Sequence, residues 1–106
     1  MSTDIRAVLV TIPRDKAQEL ACLIVENRLA ACVNIVPRIE SFYWWEGKVQ
    51  SDDEALLIIK TTNAGFDALQ QFVLDHHPYD LPEIVALPID AGLDAYLKWV
   101  VGEVRK

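Results

Sequence analysis

The sequence predicts a single α+β domain built on an antiparallel sheet, and three observations support that prediction. Strand-like apolar segments alternate with segments whose apolar residues recur at three- and four-residue spacing, which is typical of helices packed on a sheet. A Glu-Gly-Lys turn joins two long strand segments, so the strands on either side of it run antiparallel. The length of 106 residues suits one domain, 1–106, and no linker or repeat divides it.

The first strand and the first helix are separated by a proline. Residues 5–12 form an apolar run that predicts a strand, which ends before Pro13. Apolar side chains then recur with helical spacing, which predicts a helix over residues 14–29. Pro13 suits the start of this helix, because the first N–H groups of a helix have no partner within it.

A long hairpin is predicted next. Its first strand covers residues 31–36 and resumes over residues 39–45, with an interruption at Pro37, which cannot donate a ladder hydrogen bond. The turn at Glu46-Gly-Lys48 then leads into a return strand that runs to about residue 61.

The second half of the chain is predicted as helix, loop, strand and helix. Apolar residues at helical spacing predict a helix over residues 64–76. Two prolines make residues 77–82 a loop. Residues 83–89 are predicted as the last strand, and residues 93–105 as a closing helix with Tyr96 and Val101 among its inward side chains.

This order, β-α-β-β-α-β with an extra C-terminal helix, is the ferredoxin-like arrangement. The first and third strands lie at the centre of such a sheet, and both crossover helices cover one face. Here both central strands, at residues 7–10 and 55–59, are apolar on both faces instead of alternating. The face without helices must therefore be buried in another way, and self-association through that face would bury it.

A cluster of aromatic residues at the hairpin tip also predicts an oligomer. Tyr43, Trp44 and Trp45 directly precede the turn, and neighbouring strand residues point to opposite faces, so these rings cannot all enter one core. Aromatic rings are enriched where proteins meet. We therefore predict that Tyr43, Trp44, Trp45 and Leu57 lie in the subunit interface.

Charge and cysteine content restrict the possible partners and location. Ten basic residues against 16 acidic residues give a net charge of −6, which argues against a nucleic-acid or anionic-membrane surface. The N-terminus lacks a basic signal-peptide segment, and no apolar run reaches the length of a membrane span. Two cysteines are too few for a disulfide framework. A cytoplasmic protein is expected.

Four segments together resemble the CutA family of divalent-cation tolerance proteins. They are residues 29–37 (LAACVNIVP), 43–48 (YWWEGK), 57–62 (LIIKTT) and 77–83, which begins His-Pro-Tyr. Their order and spacing match the family, and the resemblance covers nearly the whole chain. It implies a homotrimer of ferredoxin-like subunits with the sheets packed inward, as in PII-type signalling proteins. It also implies a role in tolerance of copper or another divalent metal, without an established reaction.

The resemblance implies a copper site that this chain matches only in part. In bacterial members the proposed ligands are two adjacent histidines and a cysteine late in the first strand. His76 and His77 match the pair, whereas Val10 stands at the cysteine position. Cys32 is a further candidate ligand, and Cu(II) is the most strongly bound ion of the divalent series. The alternative is that the histidines complete a helix end and Cys32 simply packs in the interior.

Lys60 follows a buried strand and is expected to need an acidic partner. Glu83 is the natural candidate, and Tyr79 would line the same cleft between subunits. The pair is either a structural ion pair or the charged floor of a small-ligand site. No nucleophile–base pair, P-loop or glycine-rich phosphate cradle indicates an enzyme, and no organic cofactor is expected. A ligand sensor or enzyme using this cleft, and a trimer that anchors a partner, remain alternatives to a metal-response function.

Overall fold

The computed structural model describes residues 3–105 as a four-stranded antiparallel sheet with three α-helices. A 3₁₀ turn at Arg14–Lys16 precedes the first helix. In chain order the elements are β1 (Ile5–Ile12), α1 (Ala17–Glu26), β2 (Cys32–Trp45), β3 (Lys48–Thr62), α2 (Phe66–His76), β4 (Ile84–Pro88) and α3 (Asp94–Glu103). The strand order is β2-β3-β1-β4, so β1 and β3 are central. The predicted ferredoxin-like arrangement is confirmed.

Helix α1 ends at Glu26, earlier than predicted, because the chain makes a Schellman turn there. Arg28 adopts a left-handed φ of 55°. Its N–H donates to the carbonyl of Val25 at 3.0 Å, and the N–H of Leu29 donates to the carbonyl of Ile24 at 3.1 Å. These two bonds satisfy the last carbonyls of the helix. Glycine usually occupies the left-handed position, so an arginine there concealed the helix end.

Helices α1 and α2 cover one side of the sheet, which we call the helical face. Val8 and Val10 of β1 and Leu57 and Ile59 of β3 point into this layer and are fully buried. Leu57 is 0% exposed in the single chain. The prediction that Leu57 lies in a subunit interface is therefore wrong, because its side chain belongs to the core of its own subunit.

The opposite side, which we call the open face, is covered by a helix at one end only. There Val100 and Val104 of α3 pack on Ile5. Over the rest of the face, Val85 and Leu87 of β4 are 44% and 48% exposed. The half-buried apolar side chains beside them on the central strands are Ala7, Leu9, Leu56 and Ile58. The apolar character of both faces of the central strands is thus confirmed.

The β2–β3 hairpin projects beyond the rest of the sheet as a two-stranded ribbon. The ladder between β1 and β3 ends at Ile12 opposite Ala55, while β2 and β3 remain paired as far as Trp45 opposite Lys48. No other strand pairs with the ribbon within the described residues. A two-stranded ribbon alone is marginally stable in water.

A bulge in β2 determines which way the aromatic side chains point. Between Val36 and Ile39 the register shifts, and β2 gains one residue on β3. Beyond the bulge, the side chains of Tyr43 and Trp45 lie on the same side of the ribbon as Glu54, and this side continues the open face. Trp44 lies on the other side of the ribbon, which continues the helical face. Tyr43, Trp44 and Trp45 are 40%, 74% and 45% exposed. As predicted, the rings do not enter one core.

Candidate functional site: two polar clusters on the open face

Both ring nitrogens of His77 are engaged by the backbone. Nε2–H donates to the Thr11 carbonyl at 2.7 Å, and Nδ1 accepts the N–H of Tyr79 at 3.1 Å. A carbonyl only accepts and an amide N–H only donates, so these partners assign the neutral Nε2–H tautomer and leave no lone pair for a metal. The side chain is 8% exposed. His77 therefore fastens the loop after α2 to the end of β1.

His76 has one ring nitrogen free. Its Nδ1–H donates to the Phe72 carbonyl at 2.7 Å, and the two rings stack with centroids 4.0 Å apart. These contacts hold the imidazole ring of His76 against the last turn of α2. Nε2 remains as an acceptor beside an open groove of about 220 Å³, which Lys16 and Glu19 also line. His76 can offer a cation one imidazole nitrogen.

The candidate metal ligands do not come together in one chain. His77 contacts Thr11, whereas Cys32 lies in the row of β-sheet residues that contains Lys60 and Ala7. Thr11 and Ala7 are separated by about 13 Å along β1. Val10 is fully buried and offers no donor. Within residues 3–105 no three His, Cys, Asp or Glu side chains are arranged to hold an ion. The residues present do not fit a complete copper site.

Four residues form the Lys60 cluster at the α3 end of the open face: Cys32, Asn34, Lys60 and Tyr96. Cys32 and Lys60 lie directly opposite each other on β2 and β3. The Lys60 ammonium donates to Asn34 Oδ1, and the Cys32 thiol donates to the same oxygen at 3.7 Å. Burial raises the pKa of Tyr96, and the neighbouring Cys32 raises it further. An ammonium beside the thiol disfavours a metal cation at Cys32.

A second group, the Glu54 cluster, occupies the other end of the open face and comprises Tyr43, Asp52, Glu54 and Tyr79. Tyr79 Oη donates to the Glu54 carboxylate at 3.1 Å, and Tyr43 Oη donates to Asp52. Burial first, then the bond to Glu54 and the charges of Glu54 and Asp52, raise the pKa of Tyr79 to about 12. Glu54 is only 5% exposed, although it follows Asp52 and Asp53 in an acidic run.

The predicted cleft of Lys60, Tyr79 and Glu83 does not form within one chain. Lys60 lies opposite Ala7 of β1, whereas Ile84, which follows Glu83, lies opposite Val10. Tyr79 and Glu83 therefore belong near the Glu54 end of the sheet. Lys60 makes no ion pair with any described residue, and its acceptor is the neutral amide of Asn34.

We expect Tyr79→Phe to lower the free energy of unfolding by about 1–3 kcal/mol at neutral pH, because Glu54 loses its donor while buried. The raised pKa adds a pH dependence. Because folding raises this pKa, the stabilisation that the Tyr79 phenol contributes is complete below its pKa in the unfolded chain, which is near 10. It is lost as the pH rises through the pKa in the folded chain, which is about 12. Urea unfolding at one chain concentration, at pH 7 and between pH 10 and 12, measures both effects. Equal stability of the two proteins would show that the bond contributes nothing.

The comparison with protein-family models finds one match over nearly the whole chain. Residues 6–103 match the family described as CutA1 divalent ion tolerance protein. The chain belongs to the CutA1 divalent ion tolerance family. This confirms the resemblance that the four sequence segments indicate.

Relatives within the CutA1 family are similar to this chain in both sequence and fold. Protein CutA 1, chloroplastic, of Oryza sativa is 54% identical over 100 residues, covering 93% of this chain and 56% of that protein. The crystal structure of CutA1 from Oryza sativa has a TM-score of 0.95 at 50% identity, covering 99% of this chain and 97% of that one. The structure of the PII-like protein CutA from Nostoc has a TM-score of 0.90 at 35% identity, covering 94% of this chain and 97% of that one. The chain spans about half the length of the first curated relatives it matches.

Four residues of the two clusters were missed by sequence reasoning: Asn34, Tyr96, Asp52 and Glu54. Asn34 lies two residues from Cys32, so strand alternation places both side chains on one face of the sheet. This spacing could have identified Asn34 from the sequence. Tyr96 was expected inside the core, yet it is 40% exposed. Asp52 and Glu54 belong to an acidic run whose sequence gives no sign of burial at Glu54, and the contact with Glu54 comes from the distant loop that carries Tyr79.

Proposed function

We propose that this CutA1 chain acts in divalent-cation tolerance as a homotrimer whose subunits pack through their open faces. Family membership supports the cation-tolerance role. The observation that supports the assembly is the uncovered apolar surface of the open face, where Val85 and Leu87 of the edge strand β4 are exposed and Leu9 and Ile58 of the central strands are half-buried. Contiguous apolar surface of this kind marks interaction sites. The exposed Trp45 on the same side of the ribbon extends the surface.

We further propose that the trimer works in the cytoplasm as a metal-response or signalling protein. Two free cysteines, Cys22 and Cys32, support a reducing compartment. Within the described residues, no helix is both long enough and apolar enough to span a membrane. The rice relative is named as chloroplastic, so fractionation of cells that express this chain is the test of its location.

Any copper bound by a single chain is expected to bind weakly. His76 Nε2 is the free imidazole nitrogen of the pair, and Glu19 lines the same groove. A site with so few ligands should follow the usual divalent order and prefer Cu(II) to Zn(II). In this proposal the chain contributes to cation tolerance although His76, His77 and Cys32 do not bind one metal ion together.

Calorimetric titration with Cu(II) at pH 7.5 tests the metal part of the proposal. We expect His76→Ala to remove most of the binding heat. We expect His77→Ala to leave that heat in place while lowering the melting temperature, because the variant loses the bonds to Thr11 and Tyr79. Equal heats in the wild type and His76→Ala would move the site elsewhere. No heat in the wild type would remove copper binding from the proposal.

A further inference from the structure

The two-stranded ribbon, residues 39–54, leaves the sheet at a joint where two features of the strands coincide. The ladder between β1 and β3 ends at Ile12 opposite Ala55, so the next residue of β3, Glu54, already belongs to the ribbon. The register shift of β2 lies directly before Ile39, which pairs with Glu54. A bulge bends the strand that carries it, and a two-stranded ribbon is marginally stable alone. The continuity of the two strands therefore fixes the direction of the ribbon only weakly.

Arg14 holds the β2 side of this joint from the 3₁₀ turn that precedes α1. Its Nε–H donates to the carbonyl of Pro37 at 2.9 Å. Pro37 and Arg38 lie within the register shift and have no partner in the β2–β3 pairing. The guanidinium of Arg38 instead pairs with the carboxylate of Asp53 at 3.4 Å. Side-chain bonds thus connect the bulge to the opposite strand and to the start of α1.

Tyr79 holds the β3 side of the same joint. Its hydroxyl donates to the Glu54 carboxylate at 3.1 Å. The loop that carries Tyr79 is itself fixed, because His77 accepts the N–H of Tyr79 and donates to the Thr11 carbonyl. The rings of His77 and Tyr79 also pack together, with centroids 4.8 Å apart. The loop therefore ties the base of the ribbon to the end of β1.

We propose that Arg14 and Tyr79 together brace the ribbon at its joint and fix the direction in which it leaves the sheet. Arg14 acts on β2 and Tyr79 acts on β3, so each strand has one contact with a segment outside the hairpin. Both contacts are made within one chain. The brace also favours assembly, because a ribbon that is already ordered loses less conformational freedom when it packs on neighbouring subunits. This second part rests on the proposed trimer.

Hydrogen exchange of the ribbon amides, measured by mass spectrometry of peptides from residues 39–54, tests the brace. Arg14→Met should speed this exchange by about two- to tenfold, the change in an opening equilibrium that corresponds to one net hydrogen bond. Tyr79→Phe should have an effect of similar size, and the double variant should exceed either single one. Arg6→Met is the matched control and should leave ribbon exchange unchanged, because Arg6 Nε donates to Asn63 Oδ1 at 2.6 Å at the other end of β1.

Ribbon exchange at the wild-type rate in both Arg14→Met and Tyr79→Phe would overturn the proposal. Equal acceleration in Arg6→Met would also overturn it, since the ribbon would then exchange only through general loss of stability. Arg14 is an exposed residue, so Arg14→Met decides the question even if Tyr79→Phe fails to fold.

Sedimentation velocity over a dilution series tests the link to assembly. The double variant should dissociate at a higher chain concentration than the wild type, and Arg6→Met should dissociate as the wild type does. Faster ribbon exchange with unchanged dissociation would overturn this link and leave the brace established. A wild type that is monomeric at every concentration would overturn the proposed trimer together with the link, while the exchange rates would still decide whether the brace exists.

Discussion

Replacing Leu57 with aspartate should unfold the chain. Leu57 is 0% exposed between the two central strands and the helical layer. Loss of a buried leucine side chain alone costs about 2–5 kcal/mol, and an unpaired buried carboxylate adds several more. The total is comparable with the 5–15 kcal/mol by which domains of this kind are stable. The far-UV circular dichroism of the variant should therefore lack the native signal at 25 °C.

Leu57→Ala is the control for this substitution. It should lower the free energy of unfolding by about 2–5 kcal/mol and leave the cooperative transition intact. A Leu57→Asp protein that keeps the native spectrum but dissociates would contradict the structure. That result would restore the original prediction that Leu57 lies between subunits.

Replacing the next residue, Ile58, with aspartate should have a different effect. Ile58 points to the open face and is half-buried in the single chain. In the chain itself the new carboxylate can reach water, so the subunit should still fold. In the proposed trimer the same carboxylate would enter a dry interface without a partner, which costs several kcal/mol in each subunit. We expect a folded monomer of 12.0 kDa.

Leu74→Asp provides a matched control for Ile58→Asp. Leu74 is 46% exposed on α2, on the helical side of the sheet, so this substitution should leave the assembled mass unchanged. Sedimentation velocity and circular dichroism on the three proteins separate the outcomes. An Ile58→Asp protein with the mass of the wild-type assembly would show that the open face is not the interface.

Apolar pattern and turn chemistry were sufficient to predict the elements and their order. The first strand was predicted at residues 5–12, as observed. The two-faced apolar runs also predicted the uncovered sheet face, because a buried strand and a solvated strand differ in their alternation. Pro37 indicated an interruption of β2, and the register shift lies there. These features depend on local sequence, so one chain is enough to reveal them.

The side-chain partners could not be predicted, because they depend on strand register and on a loop contact. Lys60 faces Asn34 and Cys32 through the β2–β3 register, which hydrophobicity alone does not determine. The bulge before Ile39 then decides which aromatics share the side of Glu54. His77 was expected either as a metal ligand or at a helix end, and only the fold brings the Thr11 carbonyl to its ring. Leu57 was assigned to the wrong face because both faces of β3 are apolar.

The mass of the wild-type protein in solution tests the central claim most directly. Sedimentation equilibrium at micromolar chain concentration should give about three times the 12.0 kDa chain mass, because in the proposed trimer the open face and the hairpin ribbon pack against neighbouring subunits. The mass should stay constant on dilution through that range. A stable, folded species of 12.0 kDa at the same concentration would contradict the account.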